Sequence, residues 1–264
     1  MEKGENAFFP RPDRRMLRRM GLLRDQQGIL NRYFREQGNW NEHLDATRNY
    51  ILEWLEATRP VKLLVMGSGW LLDFPLEEAV RLCPSILFAD LNHPAQIERK
   101  LRTYRGVSVV TADITGGMLN LAWKALRSPK KTSHELVSEM NRFEPAWNLP
   151  ENTAFLSLNL LSQVDTLIVD PLIGNGRLTE EDALAVRAKI QGDHLRLLQH
   201  SNFCLITDYY EIHEHKNQAL PSGKELLHIP LPKNFEKEWV WKFDSHRLYK
   251  SSGNILFKVG AMSY

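Results

Sequence analysis

From about residue 11 to 58, apolar side chains recur at helical steps: Met16, Met20, Leu22, Leu23, Ile29, Leu30, Tyr33 and Phe34, then Leu44, Tyr50, Ile51, Trp54 and Leu55. Pro60 closes the segment. The spacing predicts a helical N-terminal cap over residues 1–60, set against a following sheet or its ligand edge, or else a packing appendage that touches no ligand. At residue 61 the period changes. Short apolar runs at 61–66, 86–89, 107–111, 154–158 and 203–207 alternate with helical stretches at 76–82, 94–104, 120–126, 133–140 and 179–200. Thr179 stands as cap of the last of these, with Asp182 at the capping-box position. Residues 238–243 and 254–259 then alternate as strands around a polar turn at Ser251-Ser252-Gly253, so an antiparallel hairpin ends the pattern. The expectation is an α/β fold over 61–264: a Rossmann-like three-layer sandwich on a mostly parallel seven-stranded sheet. Residues 166–178, with Asp170-Pro171 and Gly174-Asn175-Gly176, read as a loop that either covers the site or merely connects elements.

Polar chemistry gathers where these strands end. The first runs into Gly67-Ser68-Gly69, the second into Asp90-Leu91, the third into Asp113-Ile114 and the fourth into Asn159. Two glycines allow a tight turn and close approach of a ligand, and a carboxylate at the next strand tip can accept from a ribose diol. Asp90 has a competing role as a loop carboxylate capping the helix after Pro94, Asn159 as an amide satisfying loop backbone, and Asp73 as a turn carboxylate near Pro75.

Five strand–helix steps and a closing hairpin resemble the element order of class I S-adenosylmethionine-dependent methyltransferases. The resemblance rests on Gly67-Ser68-Gly69, Asp90, Ala112-Asp113 and Asn159-Leu160-Leu161-Ser162-Gln163. It implies S-adenosylmethionine as cofactor, with Gly67, Ser68 and Gly69 against its methionine part. It further implies Asp90 with Leu91 on the ribose, Asp113 with Ile114 at the adenine, and Asn159 positioning an acceptor of unknown identity. The chain departs from the family where an acid commonly stands two places before the first glycine, here Val65, and where a third glycine often follows, here Leu71. Asp73 is a candidate substitute for that acid. The Asp/Asn-Pro-Pro-Tyr signature of amino-group methylation is absent. A non-catalytic binding or scaffold protein of the same shape is the alternative reading. A nicotinamide-dependent oxidoreductase ranks below both, because Leu72 occupies the third small position of the dinucleotide fingerprint.

Composition changes this picture little. The chain has 264 residues, 43% hydrophobic and 25% charged, and no apolar run of bilayer length, so membrane residence is not expected. The charged start lacks the pattern of a secretory signal, and a cytoplasmic location is the expectation. Cys83 and Cys204 suit reduced buried thiols. The net charge of +2 is too small to argue for nucleic acid, but Arg11, Arg14, Arg15, Arg18 and Arg19 recur at three- and four-residue steps. That stripe reads as a solvated helix face or as an anion-binding surface for RNA, a phosphorylated partner or a membrane. His213-Glu214-His215 is the closest approach to a metal-ligand cluster and reads better as a polar loop, so no metal is expected. Tyr209 and Tyr210, after the fifth strand, stand where a substrate pocket could be lined.

Overall fold

The computed structural model describes residues 8–128, 131–215, 221–249 and 253–264. Pro129 and Lys130 of a predicted basic turn, and Ser251 and Ser252 of the hairpin turn, lie outside the described residues. The chain forms a Rossmann-like α/β sandwich. Seven strands run side by side in the order β3-β2-β1-β4-β5-β8-β7: β1 Lys62–Met66, β2 Ser85–Asp90, β3 Val107–Thr111, β4 Ala154–Leu158, β5 Phe203–His215, β7 Lys237–Asp244 and β8 Gly253–Ser263. An eighth short strand, β6 Ser222–Glu225, pairs antiparallel with β5 and was not predicted. β1 to β5 are mutually parallel, and β8 pairs antiparallel with both β5 and β7.

Alternation along the strands assigns their two faces. Leu63 and Val65 pack with α2 Leu22–Thr58 and α3 Leu76–Leu82, while Leu64 and Met66 turn toward the opposite layer, where α8 Glu180–Leu198 supplies Leu197 and Leu198. α2 is one helix of 37 residues, and its buried Trp40, Leu44, Ile51, Trp54 and Leu55 lie against strand residues Trp241, Phe243 and Phe257. Trp241 is thus a packing residue: its ring meets Trp40 edge-on at 4.8 Å and stacks on His43 at 4.1 Å. α4 Ala95–Leu101 lies on the α2 side through Leu101. α1 Arg14–Arg19, α5 Met118–Arg127, α6 Ser133–Asn141 and α7 Thr166–Gly174 share the other layer with α8.

Two sequence expectations need correction. The stretch 166–178 is not a loop, because residues 166–174 form α7, which buries Ile168, Val169 and Leu172. That apolar face outweighs the hydrogen bond lost at Pro171, and Gly176, at φ 64°, follows the end of the helix. β5 does not end at Asp208. It continues to His215, because β8 offers a ladder along its whole length, with a bulge between Asp208 and Tyr210. Tyr209 and Tyr210 are therefore strand residues. The α8 cap is as expected, Thr179 Oγ1 accepting from the Asp182 N–H at 3.0 Å. Among the described residues no helix is long and apolar enough to cross a membrane.

Candidate functional site

Strand order locates the working edge. From β1 the chain proceeds one way through β2 and β3 and the other way through β4 and β5, so the switch in direction lies between β1 and β4. Ligands of open α/β sheets bind outside the carboxyl ends of the strands at such a point. Here the loops after β1, β2 and β4 meet.

Gly67 lets the first and fourth strand ends approach closely. Its φ is 83°, and a Cβ there would stand 2.6 Å from the Leu158 carbonyl oxygen at the end of β4. Gly69, at φ 44°, has open space where a side chain would project. Its N–H donates to Asp90 Oδ2 at 2.8 Å, tying the first loop to the tip of β2. Leu71, where the third glycine is missing, still takes the left-handed conformation at φ 54°, a strained backbone of the kind found at binding sites. Asn159 is left-handed as well, at φ 47°. Its Nδ2 donates to Asp73 Oδ2 at 2.7 Å, while its Oδ1 is buried without a hydrogen-bond partner.

Two hydrogen bonds thus join the three loops, Gly69 to Asp90 between the first and second and Asn159 to Asp73 between the third and first. Both aspartates are half-buried as residues, and burial of their carboxyl groups raises the pKa of each. Asn159 and Arg48 oppose that rise at Asp73, and His93 together with backbone N–H groups opposes it at Asp90. A cation seated between the two carboxylates would favour their charged forms.

The other predicted residues are disposed differently. Ser68 turns inward and its Oγ lies 3.0 Å from His93 Nε2, both buried. Leu91 is partly buried against the apolar cluster under α5 and α7. Asp113 is fully buried and Ile114 nearly so, under a strap formed by residues 8–10. Within the strap, Pro10 O accepts from the Asp113 N–H at 2.8 Å, Phe8 O accepts from the Asn148 N–H at 3.0 Å, and Phe9, 6% exposed, packs in the cluster holding Met66, Ala89, Ala112 and Ile114. Asp113 Oδ1 takes both the N–H and the hydroxyl of Thr115, and Oδ2 has no partner. Burial pushes this carboxyl up to about 6. The structure therefore brings Gly67, Gly69, Asp73, Asp90 and Asn159 together at the switch point and holds Asp113 and Ile114 beneath the strap.

Sequence reading missed the partners that cover the edge. Trp70 Nε1 donates to Gln26 O at 2.7 Å, and the Gln26 and Asn92 side chains bond to one another at 2.8 Å, so the first turns of α2 lie over the loops after β1 and β2. Arg48 donates to Leu72 O. Ser162, after β4, donates to Asp208, a buried carboxyl raised to about 6 by desolvation. The Phe8-Phe9-Pro10 run, apolar and unsuited to a helix interior, was the available sign of the strap. His213 pairs with Glu211, and among the described residues no group of three or more His, Cys, Asp or Glu side chains is arranged to hold a metal ion. Two cavities lie elsewhere: one of about 710 Å³ at the opposite edge, near Thr58, Asn152 and His200, and one of about 550 Å³ near Tyr209, Leu227 and Phe235.

No family model matches the chain, and no curated protein does. Among solved structures, "Putative methyltransferase yhhF from Escherichia coli" is similar at 14% identity, over 82% of this chain and 85% of that one, with a TM-score of 0.31. So distant a likeness carries no functional argument.

Proposed function

We propose that the chain binds S-adenosylmethionine in the crevice between β1 and β4 and transfers its methyl group to an acceptor. The observation that carries this reading is the meeting of the loops after β1, β2 and β4, where the Gly69 N–H donates to Asp90 and Asn159, its Oδ1 unpartnered, donates to Asp73. The cofactor is a sulfonium cation bearing an ammonium group and a ribose diol, and the acceptor oxygens of Asp73, Asp90 and Asn159 match those needs. Asp90 accepts from the ribose hydroxyls, Asp73 with the free Asn159 oxygen attracts the ammonium, and Gly69 permits close approach. The half-buried Trp70, Leu71 and Leu72 keep water from the crevice. When bound, the cofactor supplies an electrophilic methyl group. The protein's part is to hold it and the acceptor in line, a task that positioning accomplishes without a strong base. The fit is incomplete on the adenine side, where the strap covers Asp113.

That same strap favours a second reading, a non-catalytic binding protein of methyltransferase shape. Calorimetric titration with S-adenosylhomocysteine tests the cofactor site that the first reading requires. The enzyme reading predicts saturable binding that weakens about 10- to 100-fold in Asp90→Asn, which keeps an acceptor for Gly69 but removes the charge. Absence of binding, or binding indifferent to the substitution, favours the scaffold.

A further inference from the structure

Six arginines and a single aspartate lie between residues 8 and 24, a surplus of five positive charges on a chain whose whole net charge is +2. The remainder of the molecule is therefore net acidic by three, and all of its excess positive charge sits on one short segment. α1 holds that segment rigidly: Met16 and Leu17 are buried in the cluster with Met118, Val164 and Ile168. Arg11, Arg14, Arg15, Arg18 and Arg19 are all exposed, and none has an ion-pair partner among the described residues. Burial of Met16 and Leu17 stabilises the segment, while the five guanidinium groups project into water with no ion-pair partner among the described residues. The arrangement is a fixed, positively charged surface whose chemistry suits anions.

Three neighbours narrow the anion. The strap that leads into α1 is flanked by residues 143–148: Phe8 O accepts from the Asn148 N–H, and Pro10 and Phe143 both approach Gly117. Phe8, Phe143 and Trp147 are only partly buried, so aromatic rings flank the strap that leads into the arginine-bearing helix. Between residues 8 and 24 no large apolar side chain is exposed for insertion into lipid. α1 has six residues with one side packed in the core, too short and too embedded to enter a duplex groove. Arginines that hold phosphates beside rings that stack on bases are the recognition chemistry of single strands.

We infer that α1 and the adjoining aromatic rim bind single-stranded nucleic acid, RNA foremost, through its phosphates and unstacked bases. This surface does not depend on methyl transfer and is tested apart from it. The assay is fluorescence anisotropy of a labelled single-stranded RNA of about 16 nucleotides, titrated with the full chain between about 50 and 200 mM salt. With four or five phosphates contacted, log K falls against log salt with a slope of about −3. Arg14→Gln/Arg15→Gln/Arg18→Gln/Arg19→Gln flattens that slope to between about −1 and 0 while the melting temperature is unchanged, since these side chains make no described ion pair. Phe143→Leu weakens binding about tenfold at unaltered slope, because it removes a stacking face and no charge. Lack of RNA binding overturns the inference, as does an arginine variant with the wild-type slope. Tighter binding to duplex DNA, or arginine-dependent binding to phosphatidylserine vesicles that exceeds binding to RNA, overturns it as well.

Discussion

Asp113 offers a test of the site's electrostatics that needs no ligand. Its carboxyl is buried at 0% exposure, with one oxygen satisfied by Thr115 and the other unpartnered, and burial lifts its pKa to about 6 from an ordinary 3.8. With the folded value above the unfolded one, the native state binds more protons across the window from about pH 4 to about pH 6. Stability tied to this group is therefore present in acid and is lost as pH rises through that window. A two-unit shift corresponds to roughly 3 kcal/mol, of which about 2 to 2.5 falls between pH 4 and pH 8. Asp113→Asn retains the shape and the acceptor for Thr115 and abolishes the titration. In urea denaturation at several pH values, the stability of the variant minus that of wild type rises by about 2 kcal/mol from pH 4 to pH 8. Taking the difference cancels the opposite contributions of buried His43 and His194, whose pKa values burial lowers to about 3 and about 4. A difference that stays flat, or that falls with pH, refutes the reasoning, because it means the Thr115 donors outweigh desolvation.

Other substitutions probe the switch point and its supports. Gly67→Ala forces a methyl group to 2.6 Å from the Leu158 carbonyl at φ 83°, while Gly69→Ala meets open space at φ 44°. The first costs about 3 kcal/mol and the second about 1, compared by urea midpoints, and equal costs would show that the β1–β4 contact is slack. Arg187 bridges the buried Asp165 and the exposed Asp170. Arg187→Ala leaves Asp165 without its cation and lowers stability by about 3 kcal/mol, whereas an effect below about 1 on the same assay would mean that Asp165 is protonated or well served by Gln191 alone.

How much of this was legible in the chain differs by element. The parallel strands and the Leu76–Leu82 crossover helix emerge from local periodicity, because buried parallel strands are continuous apolar runs bounded by turn residues. α7 was obscured by Pro171 and the two flanking glycines, whose local signal hid the tertiary burial of Ile168, Val169 and Leu172. The extension of β5 to His215 depends on its ladder with β8, a long-range pairing that no window around Asp208 contains. At the site, Gly67, Gly69, Asp90 and Asn159 could be placed because each ends a strand or lies within three residues after one. Two things could not be: the burial of Asp113 by Phe8, Phe9 and Pro10, and the reach of Gln26 to Trp70 and Asn92. Both join residues distant in sequence, and the contacts are made only once the first helices have packed.

The central claim is that the β1–β4 crevice holds an adenosine-bearing sulfonium compound, and a crystal structure grown with saturating S-adenosylhomocysteine tests it most directly. The account predicts ligand density beside Gly69, with ribose oxygens within hydrogen-bonding distance of Asp90 and the amino group near Asp73 and Asn159. Density confined to the cavities near His200 or Tyr209, or a crevice with no ligand in it at saturation, would contradict it.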